Sequence, residues 1–311
     1  MSRASAFLLA AGFGSRLRPL TLARPKPLLP MCGAPMLDHV LAHVRQHGHT
    51  DVLVNAHHLW KQVAAWAETR GVALQVELPE ILGTGGGLKA AEDRLADVFV
   101  VVNGDILSDV DLTALADAVT EGGAAMALRA DPVLGERAPV DADTDNVVVR
   151  MREFAGTPGV GISGTHFTGI HAAHRSVLAD VPDGFACIVR SAYTVRLPAR
   201  RIRAIRHTGR WVDIGTPADY LDANLAVLDG DLATALPIWE RGEGAQGRHW
   251  IGADARVEGE VRHSIVGEGA RVPRAARLSD CVVWDGVTVP AGDHHRVVFF
   301  DDGALEVGDS G

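Results

Sequence analysis

Up to about residue 232 the chain alternates two kinds of apolar pattern, and this alternation constrains the fold more than any other feature. Runs of strand length, rich in aliphatic and β-branched residues, occur at "AFLLAA" (6–11), "DVLVNA" (51–56), "VALQVEL" (72–78) and "DVFVVVNGD" (97–105). Between them lie "PMLDHVLAHVRQHG" (35–48) and "HLWKQVAAWAETRG" (58–71), in which apolar residues return at helical spacing and which stop at Gly48 and Gly71. Strands separated by helices imply βαβ units and parallel neighbours. The expectation is an α/β fold: a Rossmann-like, mainly parallel sheet flanked by helices, with ligands at the carboxyl ends of the strands. "PADYLDANLAVLDG" (217–230) reads as a closing helix with Pro in its first turn.

Beyond "LPIWERGEGAQG" (236–247) the texture changes. "SIVGEGARVP" (264–273) and "CVVWDGVTVP" (281–290) align residue for residue, seventeen positions apart, and "WIGADARV" (250–257) echoes them. Within each copy an aliphatic residue returns after six positions: Ile251 and Val257, Val266 and Val272, Val283 and Val289. Such hexapeptide repeats suit a triangular coil of short parallel strands. The expected organisation is a first domain over 1–232, a linker over 233–248 and the repeats over 249–311.

Composition excludes several classes. A formal charge of −9 over 311 residues argues against a general nucleic-acid binder, which needs a basic face. Three Cys, odd in number and far apart (Cys32, Cys187, Cys281), fit neither a disulfide framework nor a zinc site. No apolar run approaches the roughly 18–20 residues of a membrane span. Arg3 followed by "ASAFLLAAG" imitates a signal peptide, but the apolar part is short and no small-residue cleavage site follows. A cytoplasmic protein is expected. The 14 His match no metal-binding spacing.

The first strand runs into "GFGSRLRPLTLARPKP", where a dinucleotide fingerprint would need Gly in place of Leu17 and a Walker loop would need Lys after its last Gly. Neither pattern fits, yet the physics both exploit is present. Gly12 and Gly14 let backbone N–H groups come close to a phosphate, and Arg16 and Lys26 can add charge-assisted bonds. Lys26, between Pro25 and Pro27, is one of only three lysines, which hints at a point charge for phosphate. Asp105 ends an apolar strand, so its carboxylate is expected at the ligand edge of the sheet. Asp213 follows Trp211 in another short apolar segment.

"LAAGFGSRLRPLTLARPKPLLP" (9–30) resembles the signature of the sugar-1-phosphate nucleotidyltransferases, G-x-G-[ST]-R-L-x-P-L-T followed by P-K-P. "ILGTGGGLK" (81–89) resembles that family's base-contacting turn, "VNGD" (102–105) its metal-binding strand end, and "WVDIGTPADYLDAN" (211–224) its second metal site and closing helix. The repeats resemble the left-handed parallel β-helix that many members carry. The resemblance implies transfer of a nucleotidyl group from a nucleoside triphosphate to a sugar 1-phosphate. It implies catalytic roles for Arg16, Lys26 and Asp105, and Mg²⁺ held by Asp105 and Asp213. Nucleotide contacts would come from Leu9, Ala10, Ala11, Gly12, Gly14, Ser15, Arg16, Gly85 and Gly86. Contacts to the sugar phosphate would come from Asn103, Gly104, Glu153, Thr168 and Gly169.

One departure concerns the acceptor. Many relatives carry a Glu-Lys pair in mid-chain, where this sequence has Arg152-Glu153-Phe154 and no lysine after Lys89. Substrates are expected to be GTP with a mannose-1-phosphate-type acceptor; the alternatives are UTP with N-acetylmuramate 1-phosphate, or another hexose or heptose 1-phosphate. Two other classes remain open: a hexapeptide-repeat acyltransferase using His263 as base, and a non-catalytic paralogue that binds nucleotide sugars. Nucleic acid and membrane are not expected partners, and the repeats are a candidate surface for homo-oligomerisation.

Overall fold

The computed structural model describes residues 3–155, 161–232, 234–238, 242–243, 249–301 and 303–308. The expected linker at 233–248 thus lies largely outside the described residues. The chain forms two compact units that do not follow chain order. The first comprises Met1–Gly12, Val44–Gly104 and Val110–Trp211; the second comprises Phe13–His43, Asp105–Asp109 and Val212–Gly311.

In the first unit, strand Ala4–Leu9 lies between Val52–Ala56 and Leu95–Asn103, and Val52–Ala56 also pairs with Ala73–Val76; all three pairings are parallel. These are the strands legible as apolar runs. Helix Trp60–Arg70 crosses between two of them and ends where Gly71 turns into the left-handed region at φ 64°. Leu95–Asn103 has paired strands on both sides, and its inner residues Phe99 and Val101 are fully buried with Phe7, Leu53 and Leu88. That explains its near-continuous apolar run.

The rest of this sheet is not parallel in the same way. Gly161–His174 runs antiparallel to Leu95–Asn103, to Ala124–Ala130 and to Pro139–Asp143, while Ile202–His207 lies parallel to Ala124–Ala130. Pro139–Asp143 and Val148–Met151 are joined by so few residues that only a hairpin can connect them. The sheet is therefore parallel-rich and mixed, with its parallel half built from the N-terminal segments.

In the second unit, the C-terminal strands stack as three parallel ladders. One contains His249–Gly252, Ser264–Val266, Val282–Val283 and Val297–Phe300; the others are Arg256–Val257 with Arg271–Val272, and Glu260–Arg262 with Ala276–Ser279 and Gly292–His295. Val266 pairs with Val283, so the seventeen-residue offset seen in the sequence is the ladder register. Val266, Val272, Val283 and Val289 are buried together with Leu278 and Phe299. No helix among the described residues is long and apolar enough to cross a membrane.

One corner of these ladders is occupied by His263, Asp280 and Arg296, all with left-handed backbones (φ 42°, 54° and 52°). Helix Pro217–Asp229 carries a Thr216/Asp219 capping box at its start and is tied to this corner at two points. His263 Nε2 lies 3.0 Å from Asp229 Oδ1, its Nδ1 meets Asp280, and Arg296 donates to Asp222 at 2.8 Å. Burial alone lowers the His263 pKa, but the hydrogen bond to Asp280 and the charge of Asp229 outweigh it and raise the value above the usual one. His295 also faces Asp280, at 3.3 Å.

A histidine whose folded pKa is raised adds stability that is complete below its unfolded value, about 6.5, and lost as pH climbs through the folded value. The Tm difference between wild type and His263→Gln should therefore be largest at mildly acid pH and shrink as pH rises. Thermal melts across pH 5–9 check this; a difference independent of pH would mean the ring is uncharged in the fold.

Candidate functional site

The loop that follows the first strand belongs to the second unit, and its conformation is set by local crowding. Gly14 adopts φ +61°, and a Cβ there would lie 2.9 Å from Thr21 Cγ2 and 3.0 Å from Lys26 Cβ. Thr21 Oγ1 donates to the Gly14 carbonyl at 2.8 Å, closing the loop on itself. Short helical turns follow at Ser15–Leu17, Leu20–Ala23 and Lys26–Leu28. Pro25 and Pro27 restrict the backbone on both sides of Lys26.

Lys26 is 8% exposed, and its ammonium is held by Asp105 Oδ2, with Asp213 Oδ1 at 3.9 Å. The two carboxylates are neighbours because their strands are. Asp105 precedes Ile106–Ser108, which pairs with Trp211–Asp213, and the Ile214 amide donates to the Asp105 carbonyl at 3.2 Å. Arg16 completes the group. Its guanidinium sits where a Cβ on Gly215 would come within 2.9 Å of Nη1, so Gly215 is the residue that leaves it room. Burial raises the Asp213 pKa, the Asp105 charge raises it further, and Lys26 and Arg16 pull it back. Two carboxylates and two fixed cations, the Lys26 ammonium and the Arg16 guanidinium, are thus gathered together.

Apart from Ser15, the remaining expected residues lie in the first unit. Leu9 pairs with Asn103, and the Gly104 amide donates to the Leu9 carbonyl at 2.9 Å, so the two strand ends finish side by side. Ala10 and Ala11 are buried, and the Ala10 amide is taken by Asn55 Oδ1 at 2.7 Å. A Cβ on Gly12 would meet nothing within 4 Å. The contrast with Gly14 is direct: protein packing demands glycine at 14 and leaves open space at 12.

Gly85 and Gly86 lie in a helix, Gly83–Ala90, and not in a turn as expected. The Gly85 amide donates to the Ala186 carbonyl at 2.8 Å, and a Cβ on Gly86 would stand 1.9 Å from the Gly184 carbonyl oxygen. Close packing against 184–188 is thus what excludes side chains there. Thr168 is buried at a bulge beside Gly169 (φ +82°), and its hydroxyl donates to the Ala127 carbonyl at 2.9 Å. Glu153 is exposed at a hairpin tip. Ser15 and Arg16 are exposed.

Two buried polar residues escaped the sequence reading. Asn55 and Glu77 are each 1% exposed and hydrogen-bonded to one another at 2.7 Å. Their signal was faint: a single polar residue inside "VLVNA" and another at the end of "LQVE", where the strands are otherwise apolar or partly open.

Three comparisons bear on this arrangement. Residues 6–185 match the family described as MobA-like NTP transferase domain. The chain is 31% identical over 299 residues to mannose-1-phosphate guanylyltransferase of Mycobacterium tuberculosis, covering 92% of this chain and 81% of that protein. It is 32% identical over 219 residues to N-acetylmuramate alpha-1-phosphate uridylyltransferase of Neisseria meningitidis serogroup B, covering 68% and 93%. Among solved structures, HddC from Yersinia pseudotuberculosis superposes with a TM-score of 0.57 at 22% identity, over 71% of this chain and 98% of that one, a likeness of fold.

Proposed function

The chain belongs to the MobA-like NTP transferase family, and from that premise we propose that it transfers a nucleotidyl group from a nucleoside triphosphate to a sugar 1-phosphate, releasing pyrophosphate. The observation that carries the reading is the Lys26–Asp105–Asp213 cluster with Arg16 beside it. A sugar-phosphate oxygen forms a bond to the α-phosphorus, and the bond from that phosphorus to the bridging oxygen breaks as pyrophosphate leaves. The nucleophile is already an anion, so no general base is needed. The difficulty is repulsion between two anions and the charge that builds on the leaving group.

This chain's residues answer both needs. Lys26 and Arg16 supply fixed positive charge for the triphosphate, and the open space over Gly12 lets phosphate oxygens approach the backbone. Asp105 and Asp213 fit Mg²⁺: carboxylate oxygens suit a hard cation that keeps water and phosphate oxygens in the rest of its shell, and a divalent ion would offset the burial and the Asp105 charge that raise the Asp213 pKa. When bound, that ion would neutralise phosphate charge.

We favour GTP and a mannose-1-phosphate-type acceptor, because the guanylyltransferase relative combines 31% identity with 92% coverage of this chain, whereas the N-acetylmuramate uridylyltransferase relative covers 68% of it. The ladders are read as the turns of a short left-handed β-helix, and the protein as cytoplasmic. An acyltransferase reading is disfavoured, since both ring nitrogens of His263 are engaged by carboxylates and neither is left to act as a base.

The test is pyrophosphate release with Mg²⁺ over a grid of nucleoside triphosphates and sugar 1-phosphates. One strong combination fixes base and sugar; an empty grid with nucleotide sugars still bound would favour a regulatory paralogue. Gly12→Ala provides a local check. It should leave Tm unchanged and raise KM for the triphosphate about tenfold or more, because the added methyl enters only the space assigned to phosphate. An unchanged KM would remove Gly12 from the site.

A further inference from the structure

The structure assigns to Asn55 and Glu77 the task of holding two nucleotide-contacting segments in register: the end of the first strand at Leu9–Ala11, and the start of the Gly83–Ala90 helix. The assignment rests on the functional reading above for what those segments touch, but its geometry stands alone. Four groups form one unbranched chain of hydrogen bonds. The Ala10 amide donates to Asn55 Oδ1 at 2.7 Å, Asn55 Nδ2 donates to Glu77 Oε1 at 2.7 Å, and the Leu82 amide donates to Glu77 Oε2 at 2.7 Å.

The polarity of this chain is forced. An amide N–H at Ala10 can only donate, so Asn55 must present its oxygen there and its NH₂ group to Glu77. The Leu82 amide also only donates. Glu77 therefore receives a donor from each side and must accept with both atoms, which a carboxylate does and a carboxamide does not. Both side chains are 1% exposed, so water cannot replace a lost partner. Room for the pair is kept by Gly87, where a Cβ would stand 2.6 Å from Glu77 Oε1 and 3.1 Å from Asn55 Nδ2. A second link, from Gln75 Nε2 to the Gly87 carbonyl at 2.7 Å, ties the same helix to the same strand. A buried carboxylate that holds one backbone segment directly, at the Leu82 amide, and a second through Asn55, at the Ala10 amide, is a positioning residue, and the segments it joins are those assigned to phosphate and base.

The polarity argument dictates its own test. In Glu77→Gln every orientation of the amide sets two donors against each other, either at Leu82, at Asn55, or, if Asn55 flips, at Ala10. In Asn55→Asp two carboxylates face each other. The double variant Asn55→Asp/Glu77→Gln reverses the polarity of the middle bond and satisfies every group. Its introduced carboxylate accepts from the Ala10 amide and from the introduced carboxamide, whose own oxygen accepts from the Leu82 amide. Its net charge equals that of the wild type.

Three readouts are made on full-length wild type, both single variants and the double. Amide hydrogen exchange is followed in peptides containing Ala10 and Leu82. KM for GTP and KM for mannose 1-phosphate are measured by pyrophosphate release. Each single variant should speed exchange in both peptides and raise KM for GTP about tenfold, with KM for the sugar phosphate little changed, and the double should return all of these to within about threefold of wild type. Singles that lose thermal stability while KM for GTP stays put would overturn the proposal. So would a double variant no better than the worse single, and this arm holds even where a single variant fails to fold. A wild type inactive with every substrate pair would instead defeat the functional reading, and hydrogen exchange would still decide the relay.

Discussion

Asp105→Asn should fold as the wild type does and lose about a thousandfold or more in turnover, roughly 4 kcal/mol of transition-state stabilisation. The fold is expected to survive because asparagine matches aspartate in shape and the Asp105 backbone keeps its bond from the Ile214 amide. Lys26 also keeps an anionic neighbour, since Asp213 lies 3.9 Å from its ammonium. What disappears is one of the two carboxylates proposed to hold a divalent cation, together with the charge that holds the Lys26 ammonium in place. Circular dichroism, a thermal melt and pyrophosphate release at saturating Mg²⁺ separate the two effects. A well-folded variant with near-normal turnover would sink the metal assignment and leave Lys26 and Arg16 as the catalytic charges. A tenfold-scale loss restored by raising Mg²⁺ would point to weakened metal affinity, with the chemistry intact.

Much of this cluster is legible in the sequence because it lies where local pattern is informative. "VFVVVNGD" is a buried strand that ends in a carboxylate, and the end of such a strand is where a parallel sheet presents its chemistry. Lys26 stands out as a rare lysine framed by prolines. The seventeen-residue repeat carries the ladder register with it, since each pass must stack on the one before. Other features depend on partners far away in sequence, and periodicity is blind to them. Gly85 and Gly86 read equally well as an open turn or as a packed helix until the Gly184 and Ala186 carbonyls are placed against them. Gly12 and Gly14 look equivalent in the motif, yet only Gly14 is crowded by protein atoms. Asn55 sits in an apolar strand as a single polar residue, and its meaning appears only when Ala10 and Glu77 are found on either side of it. The antiparallel half of the sheet is unreadable for a similar reason: strand direction follows from pairing, and the pairing partners of Gly161–His174 come from segments far from it in the chain.

Gly33→Ala should be the most damaging substitution outside the charged cluster, lowering stability by about 3 kcal/mol or more. Two costs act together. Gly33 adopts φ +74°, where a side chain is strained, and an added Cβ would stand 2.0 Å from Cη2 of the Trp250 ring. That ring cannot easily retreat. It is fully buried, and its Nε1 donates to the Ile238 carbonyl at 3.0 Å.

The same mode of attachment recurs along the loop. Tyr220 donates its hydroxyl to the Pro30 carbonyl and accepts from Trp284 Nε1 at 3.0 Å, Asn224 Oδ1 accepts from the Cys32 amide at 3.1 Å, and Arg24 lies 4.6 Å over the Trp284 ring while pairing with Asp301 at 3.1 Å. The loop bearing Arg16 and Lys26 is therefore fastened by residues of the C-terminal ladders and the closing helix. The repeats thus help to fix the conformation of the loop that is proposed to meet the triphosphate. Thermal melts of Gly33→Ala, Trp250→Leu and the double variant test the contact directly: removing the ring tip should make room for the methyl, so the double should be less destabilised than the sum of the singles. Strict additivity would mean that Trp250 and Gly33 do not constrain each other, and that the loop is held by the contacts of Tyr220, Asn224, Trp284 and Asp301 instead.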